Sequence, residues 1–252
     1  MSGHSKWATT KHRKAAQDKK RSAIFSKLSR NITVAAKEGG DPNPENNASL
    51  AAAVAKAKNY SLPKDKIDSA IKKAFGTGSD SANYENVVYE GYGPAGIAVY
   101  IEALTDNRNR TAADVRSAFS HSGGNLGTTG SVAFQFERKG QIVVEKSQSP
   151  DEEEFMLQIA EAGADDYEDA GEEWIVLTAP TELSNVKSGL EGQGIEIKGY
   201  ELIMQPLTLA EVNINDARKV MRLIDRLEEL EDLQNVYHTM DLTDEIADAL
   251  DE

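Results

Sequence analysis

Ten side chains within the first 21 residues could together hold a polyanion: His4, Lys6, Trp7, Lys11, His12, Arg13, Lys14, Lys19, Lys20 and Arg21. Lysine and arginine neutralise backbone phosphates and release condensed counterions. About six such contacts on a B-form duplex would give a log-log salt slope near -5. An exposed Trp7 offers a stacking face worth about 1–3 kcal/mol per base, and Gly3 lets the backbone approach a surface. With Lys27 and Arg30 added, these cations face a single acid, Asp18. The bland alternative is a solvated tail. The tryptophan inside the run, and the basic helix that continues it, favour nucleic acid.

Catalytic and metal-binding constellations are missing from the sequence. There is no cysteine, which removes disulfides, thiolate metal sites and cysteine nucleophiles. His4, His12, His121 and His238 have no metal-ligand spacing. Neither a G-x-S-x-G elbow nor an H-E-x-x-H pair occurs. Gly91-Tyr92-Gly93-Pro94-Ala95-Gly96 spells G-x-G-x-x-G, but a strand follows it where a dinucleotide site needs a helix, so it reads as a hairpin turn. The glycine-rich run Gly123–Gly130 lacks the Gly-Lys-Ser/Thr ending of a P-loop and reads as a helix-to-strand connection. Arg108 and Arg110, in the polar stretch Thr105–Thr111, could hold an anion beside a helix N-terminus; pairing with Asp106 or Glu102 is the alternative. The acids Asp151–Glu154 and Glu228–Asp232 read as helix starts or solvated surface. The expectation is no catalysis, no cofactor and no metal.

Residues 1–75 carry 16 Lys and Arg against 6 Asp and Glu, inside a chain of net charge -14. A basic start on an acidic body points to a polyanion partner at one end. Three helices are expected there: Lys14–Lys37 with an apolar stripe of Ile24, Phe25, Leu28, Ile32 and Ala35; about Glu45–Lys58 with Leu50, Val54 and Ala57; and one opened by Pro63 with Ile67, Ala70, Ile71 and Ala74. After a composition shift at Gly76–Ser81, Tyr84–Tyr92 and Ile97–Leu104 read as strands. Thr111 and Asp114 resemble a capping box. Ser131–Glu137 reads as a strand that Arg138-Lys139-Gly140 turns toward Gln141–Glu145. The order strand, helix, strand, strand, helix, strand then follows, the grammar of a ferredoxin-like unit. The closing helix and strand, to Tyr237, could complete the sheet begun before it.

The expected fold class is therefore α+β in three domains, a three-helix domain and two of ferredoxin-like type, the third inserted in the second. The boundaries are 1–75 for the basic arm and helical domain, 80–137 with 206–240 for the middle domain, 138–205 for the insertion, and 241–252 for an acidic tail. No stretch is apolar enough to span a bilayer, and the N-terminus lacks a signal-peptide core. The expectation is a cytoplasmic protein without a membrane partner.

Several long motifs, in order along the chain, resemble the YebC family: Met1–Trp7, Lys11–Ala16, Ile32–Gly40, Tyr89–Pro94, Leu104–Thr111, Gly123–Gly127, Gly130–Val132, Phe136–Gly140 and Leu233–His238. The acidic stretch Asp241–Glu252 departs from that pattern. The family includes bacterial proteins labelled probable transcriptional regulators and the mitochondrial translational activator of cytochrome c oxidase. The resemblance implies three domains and a non-enzymatic role on nucleic acid. The partner is either promoter DNA or ribosomal RNA near the peptidyl-transferase region, the latter easing elongation through proline runs. It carries over onto His4, Lys6, Trp7, Lys11, His12, Arg13 and Lys14. The helices show no side-chain set suited to reading a major groove, which favours the ribosome over a promoter. A protein partner on the acidic α+β domains is a third expectation.

Overall fold

The computed structural model describes residues 14–76, 84–149 and 151–251, with the side chains of the first helix described from Ile24 onward. That helix, α1, runs Lys14–Gly39 and is followed by α2, Ala48–Asn59, and α3, Lys64–Ala74. Each contributes the stripe its spacing dictates. Leu28, Ile32 and Ala36 of α1 meet Leu50, Val54 and Ala57 of α2, with Leu62, Ile67 and Ala70 closing the core. The second helix starts later than its apolar period suggests. Asn47 caps it, accepting from the Leu50 amide at 3.0 Å and donating to the Ala35 and Asp41 carbonyls. A Cβ on Gly39 would collide with the Asn47 side chain, so the glycine permits this close joint between α1 and α2.

The middle domain begins with the antiparallel hairpin β1 (Glu85–Tyr92) and β2 (Ala98–Thr105), in register from Glu85 opposite Thr105 to Tyr92 opposite Ala98. The turn between them holds Ala95 and Gly96 at positive φ, so the glycine-motif letters are a hairpin, as expected. The helix α4 (Arg108–His121) leads to the two-residue strand β3 (Asn125–Leu126) beside β1. The chain returns to this sheet through α7 (Ile214–Glu229) and β8 (Leu233–His238), which pairs with β2. The sheet order is β3-β1-β2-β8, and because the hairpin precedes the first helix this domain does not follow the ferredoxin-like strand and helix order expected of it. Its core combines Val99, Ile101 and Val236 with Val115 and Phe119 of α4 and Val220, Leu223, Ile224 and Leu227 of α7.

Three further expectations in this domain are corrected. The cap of α4 is Asn107, which accepts from the Arg110 amide at 3.1 Å, and Thr111 lies inside the helix. The stretch 131–135 is no strand, because a buried carboxylate takes the amides of Val132 and Ala133 and winds Ala133–Gln135 into a single 3-10 turn. Residues 241–251 are not a free acidic tail: Leu242 and, on the helix α8 (Asp244–Asp251), Ile246 and Leu250 pack on the same core.

Residues 137–205 form a compact unit of their own. The strand β4 (Phe136–Glu145) is continuous, so Arg138-Lys139-Gly140 is not a turn. Gly140 lies opposite Thr178, and a Cβ there would strike the Thr178 hydroxyl and Leu183; close approach, not chain reversal, is what the residue permits. Next come α5 (Glu152–Ala162), β5 (Asp166–Asp169), β6 (Glu173–Thr178), α6 (Leu183–Gly192) and β7 (Ile197–Pro206), giving the sheet order β5-β6-β4-β7. That is the ferredoxin-like arrangement. Its core is Ile142, Val144, Phe155, Trp174, Val176 and Leu190, with Phe155 stacked on Trp174 at 5.1 Å. The architecture is α+β with three domains, a helical one, a middle one and an inserted one.

Candidate nucleic-acid interface

Cations on a helix have an electrostatic preference that separates structural from functional ones. The helix macrodipole favours cations in the last turn and anions in the first, by about 0.3–1 kcal/mol each. In α2 and α3, Lys56, Lys58, Lys72 and Lys73 occupy last turns, where the dipole accounts for them. The last turn of α1 likewise carries Lys37, but its first turn carries no acid and begins on Lys14, and Lys19, Lys20 and Arg21 follow in the second turn beside the single acid Asp18. An anion placed there would satisfy both the dipole and the side chains. His4, Lys6, Trp7, Lys11, His12 and Arg13 lie outside the described residues, as do the side chains of Lys14, Lys19, Lys20 and Arg21.

Arg108 and Arg110 both stand in the first turn of α4 but in different surroundings. The guanidinium of Arg108 is largely exposed, with Glu85 at 3.7 Å. Arg110 is clamped between Asp106 and Asp232, each at 2.8 Å, and these hydrogen bonds raise its pKa above the ordinary value. Asp106 was one of the two carboxylates expected as partners; Asp232 was not.

Asp232 also departs from the solvated surface expected for Glu228–Asp232. It is 7 % exposed. Its Oδ1 accepts from Arg30 at 2.7 Å, and its Oδ2 accepts from Arg110 at 2.8 Å, Thr111 at 2.7 Å and Thr105 at 3.2 Å. Burial alone would raise its pKa; the bonds from Arg110, Thr111 and Arg30 override this and hold it below the usual carboxylate range. No local sequence signal marks it, because its side-chain partners stand 121 to 202 positions away. Arg30 also donates to the Leu104 and Glu231 carbonyls at 3.2 Å and lies over the Tyr84 ring, and Lys27 donates to the Glu228 carbonyl at the end of α7 at 2.6 Å. Two members of the basic run therefore tie the helical domain to the middle domain.

The glycine-rich loop after α4 is held from inside. Glu90, 3 % exposed, accepts from the amides of Gly130 at 2.7 Å, Val132 at 2.8 Å and Ala133 at 2.7 Å. Of these amides only that of Gly130 belongs to the glycine-rich run; within the run the Gly124 amide donates to the Phe119 carbonyl at 2.9 Å and that of Gly127 to the Glu90 carbonyl at 2.7 Å, so these groups are already engaged in holding the connection. Glu90, like Asp232, went unseen in the sequence. His121 sits on α4 with its Nδ1 at 2.8 Å from the Ser117 carbonyl. Among the described residues no group of three or more His, Asp or Glu side chains could hold a metal ion, and no helix is long and apolar enough to cross a membrane.

Comparison with known proteins gives matches along the whole chain. Residues 5–77 match the model of the TACO1/YebC protein N-terminal domain, and residues 84–240 match that of the TACO1/YebC second and third domain. A probable transcriptional regulatory protein of Rubrobacter xylanophilus is 50% identical over 246 residues, 98% of each chain. One of Bifidobacterium longum is 50% identical over 252 residues, 100% of each chain. The latter match includes residues 241–252, in keeping with the docked α8. The crystal structure of a conserved hypothetical protein from Aquifex aeolicus is similar with a TM-score of 0.79 and 41% identity, over 88% of this chain and 90% of that one.

Proposed function

Since the chain belongs to the TACO1/YebC family, we propose that it is a non-enzymatic regulator of gene expression that binds nucleic acid through its basic N-terminal domain. Its target on this reading is ribosomal RNA, on which it acts as a translation factor in the cytoplasm, easing elongation at difficult stretches such as proline runs. The observation that carries the binding is the cationic start of α1: Lys14, Lys19, Lys20 and Arg21 stand against the single acid Asp18, and the first turn has no acid to offset Lys14. The contacts proposed are His4, Lys6, Trp7, Lys11, His12, Arg13, Lys14, Lys19, Lys20 and Arg21. Exposed Arg108 extends the set, while Arg110 supports it by bracing the first turn of α4.

The helical domain favours backbone recognition over base reading. The exposed side chains of α3 are Lys64, Asp65, Lys66, Asp68, Ser69, Lys72 and Lys73. That set has no Arg, Asn or Gln to make the bidentate contacts that distinguish bases in a major groove, and its two aspartates would repel flanking phosphates. Phosphate and shape recognition suits folded RNA.

A second reading, a promoter-binding regulator, is favoured by the name the relatives carry. Crosslinking to nucleic acid in cells followed by sequencing separates the two. Reads concentrated in large-subunit ribosomal RNA are expected; discrete genomic operators would overturn the ribosomal reading and leave the promoter one standing.

A further inference from the structure

Lys27 and Arg30 belong by sequence to the cationic run of α1, yet both point into the molecule. Arg30, its side chain 15% exposed, places one nitrogen against the Asp232 carboxylate and the Leu104 and Glu231 carbonyls. Lys27 caps the C-terminal end of α7 through the Glu228 carbonyl, a position the dipole favours. A crevice of about 220 Å³ separates Leu28 and Asn31 of α1, and Ser49 and Ala53 of α2, from Asn86 and Leu104 of the sheet.

The receiving carboxylate does not depend on Arg30. With Arg30 withdrawn, Asp232 would keep Arg110, Thr111 and Thr105. Losing one partner of a buried ion pair is expensive chiefly because the other charge is left unpaired, and here it would not be.

We infer that Lys27 and Arg30 are latent contacts for nucleic-acid phosphates, sequestered in a clasp that a bound polyanion opens. The inference rests on the nucleic-acid reading above. In the closed state Asp232 and the carbonyls closing α7 occupy the two cations. When a phosphate backbone lies along the first turns of α1, it competes for them, and the helical domain lifts from the middle domain as they transfer. The footprint on α1 then grows by two contacts.

The chain has no cysteine, so spin labels at Asp65→Cys on α3 and Asp114→Cys on α4 report the separation of the two domains. Pulsed electron resonance distances are measured on the full chain with and without a saturating single-stranded oligouridylate, whose affinity is followed by anisotropy across a salt series. Binding should lengthen and broaden the distance, and Asp232→Asn should shift it in the same direction without RNA. Lys27→Ala with Arg30→Ala should flatten the log-log salt slope by about 1.4, two phosphates at roughly 0.7 each. An oligouridylate that binds with the distance unchanged, or a double variant of unchanged slope, overturns the clasp alone. A wild-type chain that binds neither the oligouridylate, nor a folded ribosomal RNA fragment, nor duplex DNA even at low salt overturns the nucleic-acid reading and the clasp with it. Melting temperatures identify an unfolded double variant, in which case the wild-type and Asp232→Asn distances decide.

Discussion

Glu90 and Asp232 are carboxylates buried in the middle domain, and each organises a segment remote in sequence. Glu90 fixes the loop after α4 by accepting three amides. Asp232 joins β2, α4 and α1 at one point. Neither could be read from its neighbours, because a buried acid and a solvated one look alike until the partners are known. The lowered pKa of Asp232 has a definite consequence. A carboxylate whose folded pKa lies below its unfolded value, about 3.9, adds stability that is fully present above that value. The stability is lost as pH falls through the folded pKa. Asp232→Asn should therefore be less stable than wild type in urea at pH 7, and the gap should narrow steadily below about pH 4. A gap that stays constant from pH 7 to pH 3 would mean that the contribution of Asp232 does not depend on its charge.

At the scale of elements, periodic stripes were legible and chain reversals less so. The apolar positions of α2, Leu50, Val54 and Ala57, are all buried as their spacing requires. Gly140 was misread because glycine serves turns and close approaches equally well, and only the Thr178 side chain opposite tells which. The acidic residues of α8 concealed a helix whose Ile246 and Ala247 are buried, with Leu242 buried just ahead of it. At Lys14 of α1, dipole and function pull in opposite directions, and that opposition can be tested. Replacing Lys14, Lys19 and Lys20 with alanine should leave the melting temperature unchanged or slightly raised, since alanine is a better helix former and the first turn loses an unfavourable charge. The same change should flatten the salt slope for single-stranded RNA by about 2, three contacts at roughly 0.7 each. Cations retained for stability would show the reverse pattern, a lower melting temperature and an unchanged slope.

Over the whole molecule, the charge split that marked the N-terminus also marks the inserted unit. Residues 137–205 carry 17 Asp and Glu against 5 Lys and Arg, a net -12, which leaves -2 for the rest of the chain. The insertion was legible because its strand and helix order is complete in itself, with its own core around Trp174 and Phe155. Its two connections leave the middle domain side by side: the Leu207 amide donates to the Gln135 carbonyl at 2.9 Å. A chain in which a short glycine bridge replaces residues 137–205 should therefore fold, with cooperative urea unfolding and retained helical circular dichroism. Relieved of twelve net negative charges, it should bind single-stranded RNA more tightly than the full chain at low ionic strength. The advantage should fade as the Debye length shrinks from about 30 Å at 0.01 M salt to about 8 Å at 0.15 M. An advantage that persists undiminished at 0.15 M would point to a steric block by the inserted domain. A loss of affinity would make that domain part of the binding surface despite its charge.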